Sequence, residues 1–157
     1  MHTWFYLLLC AACFSACTHN TTSDMTPLPI DAHSYAKPNE ARVTHLHWQA
    51  HVDFNTKVIE ATATWQITSA NGAQEIIFDS KSLHIKSIEA DGKKVAYVLA
   101  KPDDILGQAL HIPISSATKS ITIHYTTSPG AEALQWLSPQ QTSGKQHPFL
   151  FTQSQAI

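Results

Sequence analysis

Residues 44–68 read THLHWQAHVDFNTKVIEATATWQIT. In an extended chain, Leu46, Trp48, Ala50, Val52 and Phe54 fall on one side, and His45, His47, Gln49, His51 and Asp53 on the other. Period-two alternation over this length predicts a half-buried strand. Asn55-Thr56 supplies a turn, and alternation then resumes with Ile59, Ala61, Ala63, Trp65 and Ile67 on a shared face. Two such runs across a short turn predict an antiparallel pair, with Trp48 and Trp65 as core anchors.

The same signals repeat downstream. Asn71-Gly72 marks a turn, and residues 75–79 and 83–89 read as short strands. Asp91-Gly92 is a tight-hairpin signal and leads into a strand at residues 94–99. Residues 109–114 form a strand whose Pro113 places it at a sheet edge or at a strand end. Residues 120–126 give one further strand, and residues 131–137 fit a short helical turn or a loop. Short strands separated by turns predict an all-β domain built on a mostly antiparallel sheet. Near the end, His147-Pro148-Phe149-Leu150-Phe151 reads as a buried apolar run, followed by the polar Thr152-Gln153-Ser154-Gln155-Ala156 and then Ile157. No charged tail or capping signal follows, so the chain is expected to continue into a further domain.

At 157 residues the natural expectation is one folded domain. A formal charge of −2, with Arg42 as the one arginine, argues against nucleic acid as a partner. All three cysteines, Cys10, Cys13 and Cys17, lie in or beside the apolar run at residues 4–14. That run is short for a membrane span and matches the core of an export signal over residues 1–17. Phe14-Ser15-Ala16-Cys17 resembles a bacterial lipobox, in which Cys17 would carry the lipid; ordinary signal cleavage is the other reading. Either way the chain is expected to be exported, as a periplasmic protein or a membrane-anchored lipoprotein of a bacterium. Residues 18–40, with Pro27, Pro29 and Pro38, read as a polar tether and lead-in, and residues 41–157 as the β-domain.

Few side chains carry obvious chemistry. His45, His47 and His51 share a strand face, and neighbours on such a face stand roughly 7 Å apart, so a His-x-His pair can grip a metal ion. The pair lacks a clear third ligand, and Asp53 is the nearby carboxylate on that face. A polar, solvated strand face is the plainer reading. The His-Glu-x-x-His pair of zinc proteases, a Gly-x-Ser-x-Gly elbow and a glycine-rich phosphate loop are all missing from the sequence. Gln153 and Gln155 alternate onto one face of an extended segment, where two amides can meet a peptide's ammonium group and backbone without adding charge. A surface strand end is the competing reading.

Several segments resemble the amino-terminal domain of zinc aminopeptidases of the leukotriene hydrolase/aminopeptidase N type. They are residues 33–43, Ala133-Leu134-Gln135-Trp136-Leu137, Gly144-Lys145, His147 to Phe151, and Thr152 to Ala156. The resemblance implies a saddle-like β-domain packed on a catalytic domain. It implies that Gln153, Ser154, Gln155 and Ala156 line the cleft for peptide substrates. It also implies a catalytic zinc held by two His and a Glu, ligands that this chain does not supply, so the chain alone is expected to bind no zinc and to be inactive. An exposed apolar surface is expected where the catalytic domain would pack. The alternative function is a stand-alone periplasmic binding module using His45, His47 and His51 for metal.

Overall fold

The computed structural model describes residues 25–153. The segment 1–17 expected to be an export signal, with Cys17, the first part of the expected tether, and Ser154, Gln155, Ala156 and Ile157 lie outside the described residues.

Every strand pairing among the described residues is antiparallel. Strands β1 (Ala41–Asp53), β2 (Val58–Ser69), β4 (Leu83–Ala90), β5 (Lys93–Lys94) and β8 (Ser120–Thr127) form one sheet in the order β1-β2-β8-β4-β5. Strands β3 (Glu75–Ser80), β6 (Val98–Leu99) and β7 (Gln108–Pro113) form a second, in the order β3-β7-β6. A two-stranded ribbon, β9 (Leu134–Leu137) with β10 (Phe149–Thr152), completes the fold.

The apolar face of the large sheet is kept in phase by a bulge. Val43 pairs with Ile67, but His45 pairs with Gln66, so Thr44 is an extra residue on β1. A one-residue slip flips every later side chain to the opposite face of its own strand. Here that brings Leu46, Trp48, Ala50 and Val52 onto the face already occupied by Ala41 and Val43, opposite Trp65, Ala63, Ala61 and Ile59.

The core lies between the two sheets. Ile67, Ile88, Ile121 and Ile123 of the large sheet meet Ile76, Leu110 and Ile112 of the small one, with Ala41 at the margin. Ile112 and Ile121 are wholly shielded from solvent. Full burial of an isoleucine side chain contributes about 1.5–3 kcal/mol, so this cluster dominates the fold. Trp65 packs on it with Phe78, ring centroids 5.4 Å apart. Trp48 departs from the expected core position. It is 49% exposed, and its indole N–H donates to the Tyr125 hydroxyl at 2.9 Å. The pair bridges β2 above Ala61 and Ala63, whose small side chains leave room for it.

Other local expectations meet mixed outcomes. Asp91 (φ 47°) and Gly92 (φ 74°) form the tight turn, joining Ala90 to Lys93 with the two positive φ angles of a type I′ hairpin. The strand expected at 94–99 is broken, because the chain leaves the large sheet after Lys94 and joins the small one at Val98. Pro113 sits at the end of β7, the middle strand of its sheet, where a missing N–H is tolerated. Residues 134–137, read as a helical turn or a loop, form a strand instead. Residues 33–40 are pinned to the small sheet. The Asp79 carboxylate accepts bonds from the Ser34 hydroxyl (2.6 Å) and the Tyr35 N–H (2.8 Å).

Candidate functional site

The ribbon carries the apolar run singled out near the chain's end, Phe149 to Phe151. Leu134 pairs with Thr152, Gln135 with Phe151, Trp136 with Leu150 and Leu137 with Phe149. Alternation therefore divides it into two faces. Trp136 and Leu150 turn inward, and Trp136 meets Phe54 edge-on with centroids 5.6 Å apart. Its indole N–H is buried with no acceptor among the described residues. The opposite face presents Leu137, Phe149 and Phe151.

The expectation that residues 147–151 are buried is thus wrong. Phe149 is 53% and Phe151 47% exposed. The physical reason is that a two-stranded ribbon hides one face only, and no described segment covers the other. Two short 3-10 turns, Pro139–Gln141 and Ser143–Lys145, join the strands. They are fastened by the Thr142 hydroxyl, 2.7 Å from the His147 carbonyl, and by the Gln141 amide oxygen, which accepts from the Ser138 N–H at 2.9 Å.

The ladder runs one step past β10. The Gln153 N–H donates to the Ala133 carbonyl at 3.1 Å, so Gln153 leaves the ribbon in register and exposed. The other residues expected in a peptide cleft, Ser154, Gln155 and Ala156, lie outside the described residues, as does Cys17.

His45, His47 and His51 share a face, as expected, but that face is open. They stand on the solvent-exposed edge strand, opposite Gln66, Thr64 and Glu60. Among the described residues, no three His, Cys, Asp or Glu side chains converge to hold a metal ion. The donor set of β1 therefore does not fit a zinc centre, since two imidazoles without a third ligand leave the ion half-coordinated.

Two polar clusters were not foreseen. On the polar face of the large sheet, the His124 ring meets the Thr62 hydroxyl at 3.0 Å and Glu89 at 4.0 Å. At the small sheet, Glu75 lies between His111 (3.0 Å) and Lys37 (3.4 Å), beside a groove of about 800 Å³ lined also by Glu40, Tyr97 and Pro113. The hydrogen bond from His111 and the nearby Lys37 charge hold the Glu75 carboxyl below the ordinary carboxylate value. This cluster ties the lead-in segment to β3 and β7. Cross-strand register assembles it, and no spacing in the sequence announces it.

No family model matches the chain. Curated relatives do. It is 36% identical over 132 residues to leukotriene A-4 hydrolase of Xenopus laevis, covering 80% of this chain and 22% of that protein. It is 34% identical over 148 residues to leucine aminopeptidase 2 of Ajellomyces capsulatus, covering 90% of this chain and 23% of the relative. In three dimensions it resembles native yeast leukotriene A4 hydrolase with a TM-score of 0.75 at 26% identity, over 82% of this chain and 21% of that one. The chain thus spans about a fifth of the length of the relatives it matches. On sequence and fold together, it belongs to the leukotriene A4 hydrolase/leucine aminopeptidase family, as a counterpart of its amino-terminal β-domain.

Proposed function

We propose that this β-domain forms one wall of the substrate cleft of a zinc-dependent aminopeptidase that removes residues from the amino end of peptides. In this reading Gln153, Ser154, Gln155 and Ala156 hold the peptide's amino end. The zinc is bound outside this chain, by the part of the relatives that the chain does not match, and no step of the reaction is assigned to residues described above. The observation that carries the reading is the ribbon: a face with two exposed aromatics, Phe149 and Phe151, beside the half-buried Leu137, leading in register to Gln153. Exposed aromatics clustered on one face favour burial against another protein surface. Amides beside such a surface offer both a donor and an acceptor to a peptide terminus.

The same proposal takes Cys17 as the lipidated residue of an exported bacterial protein, with the residues that follow it, ahead of the segment pinned at 33–40, as the tether to the membrane. Supporting this are the short apolar run and the small residues before Cys17.

The test is a chimera in which residues 25–157 replace the matching segment of yeast leukotriene A4 hydrolase. It is expected to fold and to release chromophore from an aminoacyl anilide. A folded chimera with its zinc bound and no turnover would count against the proposal.

A further inference from the structure

The free edge of β1 is lightly defended. Sheet edges are normally blunted by proline, lysine, a β-bulge, inward charge or short length, because unpaired N–H and C=O groups otherwise recruit another strand. β1 has one such device, the bulge at Thr44 near its start. β1 has 13 residues and pairs on one side only, with β2. Residues 43–51 are all exposed. Between Val43 and Asp53 there is no proline and no lysine. After the bulge at Thr44, pairing is regular from His45 to Asp53.

We propose that this edge pairs with the same edge of a second copy of the chain, antiparallel, about a two-fold axis at Gln49. The midpoint of the regular run sets the axis. In that register His45 faces Asp53, Leu46 faces Val52, His47 faces His51, Trp48 faces Ala50 and Gln49 faces its own copy. Each face stays consistent, apolar against apolar and polar against polar, because all pairs keep the pleat. An imidazole meets a carboxylate at both ends of the contact. Parallel self-pairing would lose that complementarity and set like beside like. The large sheet of one copy would continue into that of the other, which is strand addition with the chain itself as the added strand. Another protein's strand on the same edge would not require this self-complementary pattern.

Gln49 is exposed and faces Thr62 within its own chain, so its substitution perturbs the contact and not the fold. The 157-residue chain is expected to show a concentration-dependent monomer–dimer equilibrium by sedimentation velocity. Gln49→Glu and Gln49→Lys should each raise the dimer dissociation constant about fivefold or more, since like charges directly opposite destabilise a strand pair. Their thermal midpoints should match the parent's. An equimolar mixture of the two should recover dimer, seen as a heterodimer by native mass spectrometry. A parent chain that stays monomeric at high concentration overturns the proposal. So does a Gln49→Glu chain that dimerises as well as the parent, because a different axis would then be in use.

Discussion

Substituting Gly107 by alanine tests the packing of the small sheet against a built-in control. Gly107 has φ +72°, and a Cβ placed there would lie 2.4 Å from the Ser80 carbonyl oxygen and 3.1 Å from the Lys81 Cβ. Gly92 has nearly the same backbone, φ +74°, with nothing within 4 Å. Left-handed backbone costs an alanine about 1–2 kcal/mol, partly offset by about 0.4–1 kcal/mol from a less flexible unfolded chain. Gly92→Ala should therefore destabilise by about 0–1.6 kcal/mol. Gly107→Ala carries the same cost and a collision with backbone. The Ser80 carbonyl belongs to β3, held by pairing with Gln108, so it cannot swing aside as a side chain would. Over-packing of this kind adds about 1–3 kcal/mol. The gap between the two variants, read as urea midpoints with equal slopes, should then be about 1–3 kcal/mol. Equal stabilities would mean that Gly107 does not approach Ser80 as described.

Two further expectations rest on single contacts. The Thr127 hydroxyl accepts the Ile59 N–H at 2.9 Å in a buried site, so Thr127→Val should orphan that N–H and cost about 1–3 kcal/mol in chemical denaturation, while Thr127→Ser should cost clearly less. Glu75 is held below its ordinary value by His111 and then Lys37, so its contribution is present above the unfolded carboxylate range, near ~4.3, and is lost as pH falls through the lower folded value. Glu75→Gln should accordingly lessen acid destabilisation below about pH 4.5, with an effect under about 1 kcal/mol because the groups are about a third or more exposed. A variant as acid-sensitive as the parent would remove Glu75 from that role.

Local pattern made the strands legible. β1, β2, β4 and β8 follow from alternation, and the Asp91-Gly92 turn from its dipeptide, because these are set by neighbours in sequence. What alternation does not encode is which apolar face finds a cover. The stretch at Leu46 and Trp48 looks the same whether a second sheet lies above it or solvent does. Here the small sheet covers the Ile67–Ile121–Ile88 region, and Trp48 is left to shield Ala61 and Ala63 with Tyr125. The same holds for Phe149 and Phe151, which are exposed because no described segment covers that face of the ribbon. Residues 94–99 were misread because the sheet change after Lys94 leaves no trace in the apolar pattern. At the site, the pairing of Gln153 with Ala133 was not readable either, since it spans the whole ribbon and its two turns.

The family resemblance was readable from short segments, Leu134 to Leu137 and Phe149 to Thr152 among them, and these became the two strands of the ribbon. The structure assigns the two faces of that ribbon.

The most direct measurement concerns the amides themselves: kcat/KM of the yeast chimera and its Gln155→Ala variant, on a substrate with a free amino terminus. Loss of a hydrogen bond to a charged amino group predicts a fall of about tenfold or more, with the thermal midpoint unchanged. Unaltered kcat/KM in the variant would contradict the assignment of this chain's end to the peptide-binding wall.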